Sequence, residues 1–408
     1  MNSGMNAIRL GIAMMLAAIG VAVFAQEIPA PSGNTGEQAV PTSMPTTPSP
    51  EQTQSTQNAA PPRIQIALLL DTSSSMNGLI DQAKTQLWKI VNEFIPARRD
   101  GRRPELRVAL FEYGNDGLPA AEGHIRLIVP LTDDLDRISE ELFGLTTNGG
   151  QEYCGQVIQA AINRLDWSTS SEDLKLLFIA GNEPFTQGMV NYQEACRAAI
   201  AKGIVVNTIF CGNQAEGENT MWKDGAALAD GEYLSIDQNR TAVYVAAPQD
   251  DEIARLGVEI NNTYIPYGAQ GEAGHSRQVA QDALVSSTGA GNTVQRAVAK
   301  GSANYVNQVW DLVDAVKDDV VKVADLKPED LPDEMQSMTV EQRQVFVAEK
   351  AKQRADLQNR IQTLNGQRNQ YVVAKMKQMA EESGHDTLDS AVIKVCRKQA
   401  VAKHFEFK

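Results

Sequence analysis

The chain is poor in the residues on which most catalytic centres are built. Its 408 residues include four histidines and four cysteines. The histidines, His124, His275, His385 and His404, fall in unrelated contexts, so no serine has an evident general base. No nucleophile elbow is present, which removes the usual entry to a Ser-His-Asp hydrolase. There is no phosphate loop; Gly289-Ala290-Gly291 reads as a turn between helices, and a bare Gly-x-Gly is weak evidence of anything more. Cys154, Cys196, Cys211 and Cys396 match no zinc spacing. In an oxidising compartment Cys211 reaches either Cys154 or Cys196; buried free thiols are the alternative, and the sequence does not choose. Aromatic residues are 6% of the chain, and Trp88, Trp167, Trp222 and Trp310 sit in apolar-periodic stretches or turns, as core or cap residues.

Positive charge is scarce as well. Lys and Arg total 37 against 51 Asp and Glu, a net charge of −14. Such a surface repels phosphate backbones, so nucleic acid is excluded as an expected partner, whereas cations and basic protein surfaces fit. The one basic stretch, Arg98, Arg99, Arg102 and Arg103, follows the first expected helix and reads as a solvated loop that favours that helix's C-terminus.

Long apolar runs are limited to the beginning of the chain. Leu10 to Phe24 is shorter than the roughly 20 residues a spanning helix needs. Arg9 before it and Val23-Phe24-Ala25 after it make residues 1–25 an export signal cleaved after Ala25. A retained anchor is the alternative, and would be the only expected contact with a membrane. Residues 26–62 hold eight of the seventeen prolines and almost no aromatics. They cannot bury enough apolar surface to offset ordering entropy and are expected to be a disordered tether. A periplasmic or secreted location follows.

What is present begins at Ile64. The composition, 42% hydrophobic, supports a real core, and the length exceeds one compact unit. Ile64 to Leu70 is an apolar run broken only by Gln65, suited to a central parallel strand buried on both faces. Leu79, Ala83, Leu87, Ile90, Val91 and Phe94 then follow helical spacing. Further strands are expected at 106–113, 125–131, 174–180, 204–210 and 233–236, the first two as an antiparallel pair. Helices are expected near 133–143, 155–165, 189–202 and 221–229. Alternating strands and amphipathic helices predict a doubly wound, mostly parallel α/β sheet of Rossmann-like type over residues 63–245. A helical extension over 246–330 follows, with helices at 250–261, 276–285 and 292–324. Residues 331–408 are expected to be a charged long helix or coiled coil and a C-terminal helix. Leu357, Ile361, Leu364 and Tyr371 form a seam on that helix, but Lys350, Arg354, Arg368 and Lys375 interrupt it. A helix laid back on the domain, or a hairpin with 387–404, fits equally.

The stretch Asp71-Thr72-Ser73-Ser74-Ser75 sits where the first buried strand gives way to the first helix. In doubly wound sheets this carboxyl-end crevice is where ligands collect. Asp71, Ser73 and Ser75 place one carboxylate and two hydroxyls on alternate positions. Hard oxygen donors suit Mg²⁺, or Mn²⁺ or Ca²⁺, rather than zinc. The competing reading is that a serine merely caps the helix while Asp71 ends the strand.

Here the chain resembles the von Willebrand factor type A (VWA) family. The strand 64–70, the Asp-x-Ser-x-Ser motif at 71–75, the loop Gly149-Gly150-Gln151-Glu152-Tyr153-Cys154-Gly155 and the strand 174–180 carry the resemblance. The family's metal-ion-dependent adhesion site begins with Asp-x-Ser-x-Ser. The resemblance implies a metal site whose open coordination position is filled by an acidic side chain of a partner protein. Two positions depart from the pattern. Glu152 stands where the family has Thr, and Gly181, in Ala180-Gly181-Asn182-Glu183, stands where it has Asp. By that alignment Glu152 replaces the missing charge as a ligand, and Asn182 or Glu183 supports it from outside. A more negative set of ligands weakens attraction for an acidic partner. The expectation is a non-enzymatic, metal-dependent protein-interaction module of adhesion type. An envelope scaffold with a purely structural ion is the first alternative, and a metal-assisted hydrolase the second. Whether the helical part oligomerises is left open.

Overall fold

The expected core strand forms, one residue longer at each end, as β1 (Arg63–Asp71). In this computed structural model, residues 60–236, 244–383 and 388–407 are described. The expected export segment and all but the last three residues of the expected tether lie outside the described residues. Residues 59–408 make up one compact unit.

After β1 come α1 (Ile80–Glu93), β2 (Ala97–Arg98), β3 (Glu105–Tyr113), β4 (Ile125–Thr132), α2 (Leu135–Gly144) and α3 (Cys154–Arg164). They are followed by β5 (Leu174–Gly181), α4 (Tyr192–Ala201), β6 (Ile204–Phe210), α5 (Gln214–Asn219), α6 (Trp222–Ala227) and β7 (Tyr233–Ser235). The helical region comprises α7 (Asp250–Glu259), α8 (Gly271–Ser287), α9 (Ala290–Lys300), α10 (Leu312–Lys317), α11 (Asp333–Gln336), α12 (Val340–Ser383) and α13 (Leu388–Val401), and the short strand β8 (Glu406–Phe407) closes it.

The strand order is β4-β3-β1-β5-β6-β7. β1 runs parallel to β3 and β5, β5 to β6 and β6 to β7; only β4 is antiparallel, against β3. Central β1 and β5 are apolar on both faces because both are covered. Ile64, Ile66, Leu68 and Leu70 face α1 and α2, whereas Ala67 and Leu69 share the opposite core with Val157, Ile158, Ala195 and Ala199 of α3 and α4. The fold is thus a mostly parallel sheet with helices on both faces and a helical C-terminal region.

That helical region packs into the core on the α1 side. Ile253, Leu256, Val294, Ile361, Val392, Cys396 and Phe405 are buried in the same cluster as Ile64 and Leu68. α12 is laid on α7, α9 and α10, and α13 returns to α1 and β7. β8 pairs antiparallel with β2, and Arg99 of the expected solvated basic loop stacks over Phe405. The seam of α12 is therefore used within the chain. Ile361 is buried and Leu357 and Leu364 pack on the core, but Tyr371 is exposed. Two of the interrupting cations are anchors: Arg354 binds Asp311 at 2.6 Å and Asp314 at 2.9 Å and lies over the Tyr264 ring, and Arg368 binds Asp250 at 2.7 Å.

The single helix expected over 292–324 is two helices, α9 and α10, separated by residues 301–311. At Gly301 the backbone comes close to Ile361, so a Cβ there would sit 2.6 Å from Ile361 Cγ2. α5 was not expected; it is a single short turn begun by Asn213, whose side chain accepts from the Ala215 amide. All four cysteines are buried free thiols.

Candidate functional site

The sheet ends set the position of the site. Leu70 pairs with Ala180 and Asp71 with Tyr113, so the carboxyl ends of β3, β1 and β5 lie side by side. From β1 the chain goes first to one neighbour and later to the other, which makes this the switch point of the sheet.

The loop after β1 is fastened by backbone bonds. The Thr72 amide donates to Tyr113 O at 2.9 Å, and the Asn148 amide donates to Thr72 O at 2.9 Å. The Ser74 amide donates to Gly149 O at 2.6 Å, while the Gly149 amide donates to Ser74 Oγ at 2.7 Å. The serine that sequence reasoning passed over is thus the one that ties the two loops. Residues Ser74–Met76 then form one tight 3₁₀ turn before α1. Ser73 precedes that turn, yet its side chain makes no capping bond, and α1 itself starts after Leu79. The capping role proposed for these hydroxyls is not the one they fill.

The hydroxyls point into a small polar ring instead. Ser73 Oγ lies 2.7 Å from Ser75 Oγ, and Ser75 Oγ donates to Asn182 Oδ1 at 2.9 Å. The carboxyls of Glu152 and Asp71 both lie beside the Ser73 hydroxyl. Asp71 Oδ1 accepts from the Ser73 amide at 2.8 Å, but Asp71 Oδ2 is buried with no hydrogen-bond partner. A buried carboxylate oxygen in that state is costly unless a proton or a cation meets it.

Burial pushes the Asp71 carboxyl up to about 7; the Ser73 amide opposes this, and the nearby charge of Glu152 adds to it. Glu152 is itself raised, chiefly by burial, against the Ser73 hydrogen bond and with the charges of Glu183 and Asp116 reinforcing it. Beneath them Tyr113 and Cys154 are held in their protonated forms by full burial.

All five expected site residues are thus brought together: Asp71, Ser73, Ser75, Glu152 and Asn182. Two glycines make the closeness feasible. A Cβ on Gly114, where φ is +80°, would lie 2.8 Å from Asp71 Oδ1 and 2.9 Å from Glu152 Cγ. Gly150, at φ +132°, has its Cα against Gly114 O, so no side chain fits there. Asp116 was missed: its carboxylate lies directly over Gly149, and nothing in its local sequence marks it. Tyr113 was missed too, because its place beside Asp71 is set by the pairing of β3 with β1. Glu183 lies at the edge, with Gln187 Nε2 donating to it at 3.2 Å. His124 packs edge-on to Tyr153 and makes no hydrogen bond to these serines.

Among the described residues no group of three or more His, Cys, Asp or Glu is placed to hold a metal ion. The donor set here is of another kind, two carboxylates with two hydroxyls and an amide oxygen. Such a set fits a hard divalent cation in its chemistry, and the orphaned Asp71 oxygen fits it in position.

Comparison with known proteins gives a family match. Residues 65–224 match the profile of the von Willebrand factor type A domain. No curated protein sequence matches the chain. Among solved structures it is similar to the conserved hypothetical protein BatB from Bacteroides thetaiotaomicron, at 17% identity and TM-score 0.33, over 43% of this chain and 90% of that one. The SpRpn10 VWA domain is matched at 18% identity and TM-score 0.34, over 43% and 89%. The pilus adhesin SpaC from Lactobacillus rhamnosus GG is matched at 11% identity and TM-score 0.32, over 44% and 28%.

Proposed function

We propose that the protein is a metal-dependent protein-interaction module, a reading supported by the match of residues 65–224 to the von Willebrand factor type A domain. Asp71, Ser73, Ser75 and Glu152 hold a divalent cation, Mg²⁺ first among them, with Asn182 orienting Ser75. A partner protein supplies the ligand that completes the ion. The observation that carries this reading is the buried Asp71 oxygen without a hydrogen-bond partner beside the linked hydroxyls of Ser73 and Ser75. An ion supplies the positive charge that this oxygen lacks. Its chemistry here is attraction of a ligand: no His or Lys lines the cleft, and the two carboxylates beside the hydroxyls, Asp71 and Glu152, are taken up in holding the ion. We therefore read the protein as a binder and not an enzyme.

The reading extends to the rest of the chain. The export signal over 1–25 delivers the protein to the periplasm or the exterior. Among the described residues no helix is long and apolar enough to cross a membrane.

The test is calorimetry and thermal melting with Mg²⁺, Mn²⁺, Ca²⁺ and EDTA, for the wild type, Asp71→Ala and Ser73→Ala/Ser75→Ala. Mg²⁺ binding lost in both variants is the expected result; no heat and no shift in the wild type overturns it. The buried, doubly acidic ligand set also favours a second reading, in which the ion only stabilises the loops. Metal-dependent melting with partner capture unchanged by EDTA selects that reading.

A further inference from the structure

The two halves of the candidate cation site stand on different loops. Asp71, Ser73 and Ser75 follow one another at the end of β1, whereas Glu152 lies between α2 and α3, on a stretch (145–153) that belongs to no helix or strand. The spacing of the two loops therefore sets how far Glu152 stands from the other donors. Ser74 fixes that spacing. Its amide donates to Gly149 O at 2.6 Å, and its hydroxyl accepts from the Gly149 amide at 2.7 Å, so two bonds join the same two residues. The Asn148 amide adds a bond to Thr72 O at 2.9 Å. From the other side Gly150 is pressed on the loop after β3: a Cβ there would fall 1.4 Å from Gly114 O. Glu152, two residues on, is thus held across Gly114 from Asp71, whose Oδ2 is buried without a hydrogen-bond partner. Ser74 itself is exposed, so truncating it empties no space in the core.

Loop spacing bears on the choice of ion. Mg²⁺ takes oxygens at about 2.0–2.1 Å in a nearly regular octahedron, whereas Ca²⁺ takes them at about 2.3–2.6 Å in looser arrangements. Donors on two loops that cannot move apart suit the smaller ion. The same donors on loops free to separate lose that advantage and admit the larger one.

We propose that Ser74 is a positioning residue that makes the site selective for Mg²⁺ over Ca²⁺, its hydroxyl holding the Glu152 loop against the Asp71 loop. The proposal rests on the cation reading given above and supplies a physical reason for the order of the ions.

Isothermal titration of the full chain with MgCl₂ and with CaCl₂ tests it, for the wild type, Ser74→Ala and Ser74→Thr, with a thermal melt in EDTA to show that each variant is folded. Ser74→Ala is expected to lose about tenfold in Mg²⁺ affinity, the scale on which removing a group that orients a metal ligand acts. Its Ca²⁺ affinity should fall much less, so the ratio of the two constants moves toward Ca²⁺. Ser74→Thr keeps the hydroxyl and should keep the wild-type ratio. A merely structural role would weaken both ions alike. Equal losses, or a ratio unchanged in Ser74→Ala, therefore overturn the proposal while leaving the cation reading in place. Ser74→Thr behaving as Ser74→Ala does, or a wild type that binds Ca²⁺ the tighter, overturns it as well. No heat with either ion in the wild type removes the cation reading and this proposal together.

Discussion

The hydroxyl of Tyr113 fills the space into which a side chain at Gly181 would grow. A Cβ at residue 181 would overlap that oxygen and lie 3.1 Å from Asp71 Oδ2. The third-loop Asp implied by the family resemblance therefore has no room here, while the Glu152 side chain of the neighbouring loop reaches the other side of Asp71, across Gly114. Tyr113 is locked in place by full burial and by donating to Ala180 O at 3.1 Å.

Gly181→Asp alone should be destabilising by about 1–3 kcal/mol, the range for overpacking a filled site. Tyr113→Phe alone should cost about 1 kcal/mol through its lost hydrogen bond. Together they should cost less than the sum, because the second change makes room for the first. Urea denaturation of the four proteins of this cycle measures it; strict additivity would show that Tyr113 is not what bars residue 181.

Asp71 gives a pH dependence with a definite sign. Its folded pKa of about 7 lies above the unfolded value of 3.8, so between those limits the native state binds more protons than the unfolded one. Metal-free stability from this group is present below pH 3.8 and falls as pH rises toward about 7, by up to about 4 kcal/mol. Asp71→Asn removes the dependence but leaves an amide with one donor unmet. In EDTA at pH 8 the variant should exceed the wild type by about 1–3 kcal/mol, and at pH 5 by less. Chemical denaturation at the two pH values decides.

Cation binding competes with that same proton. Mg²⁺ should therefore raise the melting temperature more at pH 8 than at pH 5.5 in the wild type, and at neither pH in Asp71→Asn. Differential scanning calorimetry reads both. A shift that is independent of pH would mean that the ion sits away from Asp71.

Arg354 tests whether the helical region is part of the core. Its guanidinium is buried against Asp311 and Asp314, so Arg354→Ala leaves two buried carboxylates without their cation. The cost should be about 3–5 kcal/mol. Ser73→Ala/Ser75→Ala, at the partly exposed site, should cost about 1 kcal/mol or less in EDTA. Equal effects in urea denaturation would contradict the anchoring role.

Removal of residues 388–408 should prevent the sheet domain from folding cooperatively. Val392, Cys396, Ala400 and Phe405 lie in the core beside β1 and α1, and Asn207 of β6 exchanges hydrogen bonds with Gln399 at 3.0 and 2.6 Å. The match to the family ends at residue 224, but the core does not. Loss of a cooperative melt in the truncated protein is the expected outcome; an unchanged melt would show that the tail merely rests on the surface.

The local pattern of the sequence determined the elements. An apolar run such as Ile64–Leu70 dictates a strand buried on both faces, helical spacing over 79–94 dictates α1, and Asp71, Ser73 and Ser75 at their junction mark the crevice, because these signals lie within a few residues of one another. Tertiary structure alone decided that Arg354 and Arg368 are buried anchors, that Tyr113 excludes a side chain at 181, and that Asp116 reaches Gly149. Each of these depends on groups that are neighbours only after packing. Nothing in the periodicity of one segment records which charge from another segment will lie against it.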